Sequence, residues 1–184
     1  MLRPFVTCLA VFLACCTGKD PYNPGTPIGT FHVAATRTGN TCGNDNAPAD
    51  PWRFDVRLAR DAHLLYWLQG GPAVSGTLDA HAHASMHTAD TRTLHAEDTK
   101  KAISFCAMTR EDTLEATLDP TSVAGTLPGA PGSDVSGFTG TLVYKFSATS
   151  DSDCSDQVMS GAFAELPCEL HFSLAGTVIT DGGR

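Results

Sequence analysis

Residues Gly137 to Ala148 read G-F-T-G-T-L-V-Y-K-F-S-A, and this stretch decides the fold. Alternate side chains of a β-strand point to opposite faces. One face would therefore carry Phe138, Gly140, Leu142, Tyr144 and Phe146, and the other Thr139, Thr141, Val143, Lys145 and Ser147. This alternation predicts a long strand with one face in an apolar core and the other toward water.

The same period of two recurs along the rest of the chain. The segments that show it are 31–36, 52–58, 63–69, 78–86, 91–96, 102–108, 113–118 and 168–178. About eight or nine strands at short spacing predict an all-β domain, an antiparallel barrel or sandwich. One turn of helix is expected within Ser155–Ala164. Trp52, Trp67 and Tyr144 fall on the apolar faces, so the interior is expected to be filled, and Tyr66 should point the other way.

Composition limits the classes of partner that this chain can bind. The 184 residues carry a net charge of −8, and charged residues make up only 17% of the chain. Phosphate recognition needs clustered Lys and Arg, so this balance argues against a nucleic-acid partner. We expect one β domain over residues 30–180, followed by a short tail at 181–184.

The N-terminal residues 1–14 have the pattern of a secretory signal. Arg3 supplies a positive charge, and the uncharged stretch Phe5–Ala14 is too short to cross a bilayer. The segment that follows, Val11 to Cys16, resembles a lipobox, the cleavage signal of bacterial lipoproteins. The resemblance implies lipidation of Cys15, with Cys16 as the alternative, and attachment to the membrane through that lipid.

The same resemblance implies a location. No Asp follows either cysteine, which in bacterial lipoproteins is typical of the outer membrane, so we expect a lipid-anchored protein of the cell envelope. Three prolines and three glycines within residues 17–29 favour an irregular chain. Residues 15–29 are therefore predicted to hold the lipidation site and a flexible tether. A protein or glycan partner is left open.

Four cysteines remain for the domain. Cys42, Cys106, Cys154 and Cys168 in an exported protein predict two disulfides, and three pairings are possible. The pairing Cys154–Cys168 closes the shortest loop and is favoured, which leaves Cys42–Cys106. The surrounding residues Gly39–Gly43, Asp153–Cys154 and Leu166–Cys168 resemble a pattern in small envelope lipoproteins of unassigned activity. That resemblance carries no functional residues across.

Two further functions compete with a non-catalytic binding or structural module. His81, His83 and His87 would share one strand face and could bind zinc or copper, although the same alternation describes an ordinary solvent-facing strand. No cofactor is expected otherwise. A secreted hydrolase is the other alternative, but Gly-x-Ser-x-Gly is absent and no spacing singles out a catalytic triad.

Overall fold

A computed structural model describes residues 20–45, 47–101, 103–120 and 135–179. The predicted signal at 1–14, both candidate lipidation cysteines and the tail at 181–184 lie outside these residues. Eight strands form a closed antiparallel barrel, which confirms the all-β prediction and selects the barrel over the sandwich. They are β1 (Thr26–Asn40), β2 (Trp52–Asp61), β3 (Leu64–Leu68), β4 (Val74–Leu78), β5 (His83–His95), β6 (Cys106–Pro120), β7 (Val135–Ala148) and β8 (Cys168–Val178).

Each strand pairs with the next one along the chain, and β8 pairs with β1 to close the barrel. The closing register runs from Phe31 opposite Val178 to Asn40 opposite Leu170. The connections β1–β2, β3–β4, β5–β6 and β7–β8 lie at one end, which we call the upper end. The predicted helical turn is present as α1 (Ser155–Met159) in the β7–β8 connection. No helix within the described ranges has the length and apolarity to cross a membrane.

Aromatic rings fill most of the interior. The ring of Phe138 lies edge-on to those of Phe31 and Trp67, with centroids 5.6 and 5.7 Å apart. Tyr144 and Trp52 both contact Phe172 in the same way. Such pairs add to the stabilisation from burial alone. Trp67 and Tyr144 are buried, and Trp52 packs partly buried against the same core, as the alternation predicted.

The strand boundaries differ from the prediction in the middle of the chain. The predicted segment 78–86 contains the end of β4 and the start of β5, and β5 continues through most of the segment 91–96. The segments 102–108 and 113–118 are likewise joined by one strand, β6. The strand β4 was not predicted. Cys106 and Met108 of β6 belong to the central core, whereas Ile103, which precedes the strand, is exposed.

Glycine lets neighbouring strands approach closely at two inner positions. A Cβ on Gly176 would strike the ring of Phe138, and a Cβ on Gly76 would strike the backbone of Ser85 and the side chain of Met86. Both glycines begin a Gly-Thr-apolar tripeptide. Their role is to make room for large core side chains on the adjacent strand.

Regular structure begins closer to the N-terminus than the sequence predicted. Strand β1 begins at Thr26, inside the range 15–29 assigned to the tether, and residues 21–25 form a strap along the outside of β2. The Pro21 carbonyl accepts a hydrogen bond from the Ala73 N–H at 2.9 Å, and the Tyr22 carbonyl accepts one from Arg57 Nη2 at 2.6 Å. A second apolar cluster lies on this side of the sheet and contains Ala59, Tyr66 and Leu68. Tyr66 thus faces outward as predicted, yet it is buried.

The two disulfides are Cys42–Cys168 and Cys106–Cys154, so the favoured pairing was wrong. Cys42 follows β1 and Cys168 begins β8, so this bridge continues the pairing that closes the barrel. Cys106 begins β6, and Cys154 lies in the connection that leaves β7, the next strand. The shortest-loop argument failed because β8 places Cys168 opposite Phe146, on the side of β7 away from β6.

Peptide mapping without reduction checks this connectivity. We expect cross-linked peptides that join Cys42 to Cys168 and Cys106 to Cys154. Replacing either pair with alanine should lower the free energy of unfolding by roughly 4 to 5 kcal/mol in the chain-entropy treatment, because each bridge closes a long loop. Denaturant titration measures that loss. Recovery of a peptide joining Cys154 to Cys168 would contradict the structure.

Candidate functional site at the upper end of the barrel

The aromatic core stops short of the upper end and leaves a cavity of about 220 Å³, which we call the cup. Its walls come from β3 to β7 and from the β3–β4 connection. The lining residues are Trp67, Gln69, Gly71, Pro72, Val74, Met86, Thr88, Arg110, Asp112, Leu114, Leu142 and Tyr144. The expectation of a completely filled interior was therefore wrong at this end. A cavity of about 150 Å³ already accepts benzene, so the cup has room for a small apolar group.

Inner positions of β6 supply the polar part of the cup. Arg110 Nε donates to Asp112 Oδ1 at 2.7 Å, and its Nη2 donates to Asp112 Oδ2 at 2.6 Å. The guanidinium carbon lies 4.2 Å from the centroid of the Tyr144 ring. Two parallel hydrogen bonds and a stacked ring fix the plane of the guanidinium. The polar groups of the cup are thus held in place by one another.

Burial sets the ionisation of these groups. Burial of the Tyr144 hydroxyl raises its pKa to about 12, an increase that Arg110 opposes and Asp112 reinforces. Burial lowers the pKa of Arg110, but the hydrogen bonds that it donates to Asp112 and the charge of that carboxylate together outweigh burial and raise the pKa of the guanidinium. Tyr144 is therefore a neutral phenol at physiological pH, and the Arg110–Asp112 pair has no net charge.

A second ion pair lies beyond the cup on β5. Arg92 Nε donates to Asp90 Oδ2 at 2.7 Å, and both side chains are largely exposed. Asp90 also contributes a favourable electrostatic interaction with Arg110. The charges of Asp90, Arg92, Arg110 and Asp112 at or near the cup are therefore paired.

Sequence reasoning missed Arg110 and Asp112. Both stand in phase with Met108 and Leu114 along β6, so they occupy inner positions of the strand. Their polarity interrupted the apolar pattern and split the predicted strand in two. A charged residue in phase with core residues was the available signal, since charges are rarely placed on an inner face without a partner.

The predicted histidine face is only partly present. His83 and His87 lie on the exposed side of β5, whereas His81 precedes Ala82, whose positive φ of 66° ends the alternation before the strand begins. His83 Nε2 lies 3.4 Å from Glu115 Oε2, and His87 Nδ1 lies 3.3 Å from Thr113 Oγ1. His81 and His83 both donate a backbone N–H to Asp79 Oδ1, so these two histidines are neighbours, whereas His87 lies further along the exposed face of β5.

A different set of residues meets the distance requirement for a metal site. Among the described residues, the ligand atoms of His95, Cys106 and Asp156 lie within 4.8 Å of one another. Cys106 is bonded to Cys154, so it offers no thiolate. His95 Nε2 and Asp156 Oδ2 lie 3.1 Å apart and form an ordinary pair. This cluster therefore gives no support to a zinc or copper site.

No family model, curated protein or solved structure matches this chain.

The pKa of Tyr144 predicts a change in stability at high pH. Between pH 10 and pH 12 the unfolded chain loses the phenol proton and the folded chain keeps it, so the free energy of unfolding falls as the pH rises. The full loss is about 3 kcal/mol, since each pKa unit corresponds to about 1.4 kcal/mol. Denaturant titrations of the wild type and Tyr144→Phe across this range would measure the difference, with Tyr22→Phe as the control. Identical pH dependence in the wild type and Tyr144→Phe would contradict the assignment.

Proposed function

We propose that this protein is a lipid-anchored binding module of the bacterial cell envelope, without catalytic activity, and that the cup is its ligand site. The observation that carries the proposal is a preformed cavity with an apolar floor and a fixed polar rim at one end of a rigid barrel. Ligand sites in proteins typically combine a largely apolar cavity with a few well-placed polar groups. The lipobox-like sequence at Val11–Cys16 supports the anchor.

The position of the strap indicates where the predicted lipid anchor would lie relative to the cup. Pro21 is hydrogen-bonded to Ala73, and Ala73 follows Pro72, a residue that lines the cup. Asp20 lies only five positions after Cys15, a distance of at most ~17 Å at ~3.4 Å per residue. A lipid on Cys15 would hold the upper end of the barrel close to the membrane, much closer than a tether running to residue 29 would.

The polar rim supports binding rather than catalysis. Arg110 and Asp112 satisfy each other through two hydrogen bonds, and Tyr144 keeps its proton at physiological pH. A general acid or base works best with a pKa near the operating pH. Within the cup, these groups serve to orient a ligand and to keep the walls in place.

Intact mass of the protein extracted with detergent from a bacterial host tests the anchor. We expect a chain that begins at Cys15, carries added acyl mass and gains mass on reduction of its two disulfides. Cys15→Ser should abolish the acyl mass, whereas Cys16→Ser should leave it in place. A wild-type chain cleaved elsewhere and without lipid would overturn the anchored part of the proposal.

Binding of the neutral fluorophore N-phenyl-1-naphthylamine tests the cup. Val74 lines the cup, and its neighbour Ser75 on the same strand is exposed. Val74→Trp should fill the cavity and raise the Kd of the fluorophore by about tenfold or more, equivalent to about 1.4 kcal/mol. Ser75→Trp adds the same side chain outside the cup and should leave the Kd unchanged. Equal affinity in both folded variants would exclude the cup as the site.

A further inference from the structure

The strand β5 has one unpaired backbone edge in the described part of the molecule. Strand β4 pairs with β5 only through Thr77 opposite Ser85 and Leu78 opposite Ala84. Pairing of β5 with β6 continues much further, as far as His95 opposite Cys106. Above Ser85, β5 remains paired with β6 on one side, whereas no further residue of β4 forms a ladder pair with it on the other, although Gly76 still lies against Ser85 and Met86. We call the segment His87–Thr91 on this open side the β5 edge.

The orientation of the backbone groups at this edge follows from the paired part of the strand. The His83 carbonyl accepts a hydrogen bond from the Asp79 N–H at 2.9 Å, so His83 directs its backbone groups toward β4. Every second residue of an antiparallel strand does the same. His87, Ala89 and Thr91 therefore present N–H and C=O groups to the open side.

The β5 edge and the cup adjoin each other. Met86 and Thr88 of β5 line the cup from one side, and Pro72 and Val74 line it from the other. A strand added to the β5 edge would lie about 4.8 Å from β5. Its inward side chains would follow the same face as Met86 and Thr88, which places one of them over the cavity.

We propose that the β5 edge and the cup together bind an extended polypeptide segment, which adds a strand to the barrel and inserts an apolar side chain into the cup. This inference rests on the cup being the ligand site. Alternating donors and acceptors along a strand edge are matched in register by another extended backbone, and pockets for alternate side chains then give specificity.

The residues of the edge favour such a partner. Natural sheets protect an open edge with charged residues, above all Lys, or with Pro; the β5 edge contains no Lys or Pro, and its one charged side chain, Asp90, is paired with Arg92. The nearby charges of Asp90 and Arg92 pair with each other, as do those of Arg110 and Asp112. A neutral peptide with an apolar residue at its centre therefore fits this surface better than a charged one.

Fluorescence anisotropy with the labelled, capped heptapeptide TVTFTVT tests the inference. Its phenylalanine would enter the cup, and the two flanking threonines would pair with the β5 edge. N-methylation of the two threonines next to the phenylalanine removes their N–H donors. The peptide TVTDTVT replaces the phenylalanine with aspartate and so places a charge in the cup. We expect each change to raise the Kd by about tenfold or more. Equal affinity for the three peptides would overturn the inference.

Variants of Ala89 provide the matched test on the protein. Ala89→Pro removes an N–H that faces the open side, so it leaves the pairing with β6 intact and should weaken binding of TVTFTVT. Ala89→Thr keeps the N–H and should bind like the wild type. The N-methylated peptide tests the same hydrogen bonds if Ala89→Pro does not fold.

Two results would redirect the conclusion. If N-phenyl-1-naphthylamine binds the cup and no peptide does, the cup is a site for small molecules and the peptide inference fails while the proposed function stands. If the protein sediments as a dimer and Ala89→Pro makes it monomeric, a second copy of this chain occupies the β5 edge, which also overturns the inference as stated.

Discussion

The pairing of β1 with β8 is the contact on which the rest of the structure depends. Every other strand pair joins neighbours in the chain, whereas this one joins strands from opposite ends of the domain. The bridge between Cys42 and Cys168 lies just beyond it and spans 126 residues. Bringing such distant segments together carries the largest entropic cost of any contact in the sheet. Once it forms, the sheet has an inner and an outer face. The alternating side chains of each strand then lie either in the core or on the surface.

The short strands β3 and β4 determine where that closed structure opens. Each has five residues, and β4 pairs with β5 at only two positions. The longer strands β5, β6 and β7 extend further toward the upper end than β3 and β4 do. The cup is therefore enclosed by long strands on one side and by short strands on the other. The same mismatch in strand length produces both the cavity and the unpaired edge of β5. A site formed in this way requires no residue type that would distinguish it in the sequence.

The features that sequence could predict are those encoded by uniform alternation. Strand β7 was predicted almost to its boundaries because Phe138, Leu142 and Tyr144 share one face without interruption. The prediction failed for β5 and β6 where inner positions are polar, at Thr88, Asp90, Arg110 and Asp112, and these are residues in or near the cup. The disulfides were paired wrongly because chain distance was used where the closing register decides. Local periodicity contains no information on which strands become neighbours, and that information determines both the bridges and the site.

The rim of the cup also limits the kind of ligand that can be bound. A free arginine at a cavity mouth attracts carboxylates and phosphates, but Asp112 already occupies the guanidinium of Arg110 through two hydrogen bonds. Asp112 neutralises the charge of Arg110 and takes two of its five N–H donors, so an anionic ligand would gain less here than at a free arginine and would meet the like charge of the carboxylate. A cation would meet Arg110 itself. The ligand favoured by this arrangement is uncharged, is held by its apolar surface, and is oriented by polar groups that need not move when it binds, so little entropy is lost in ordering the site.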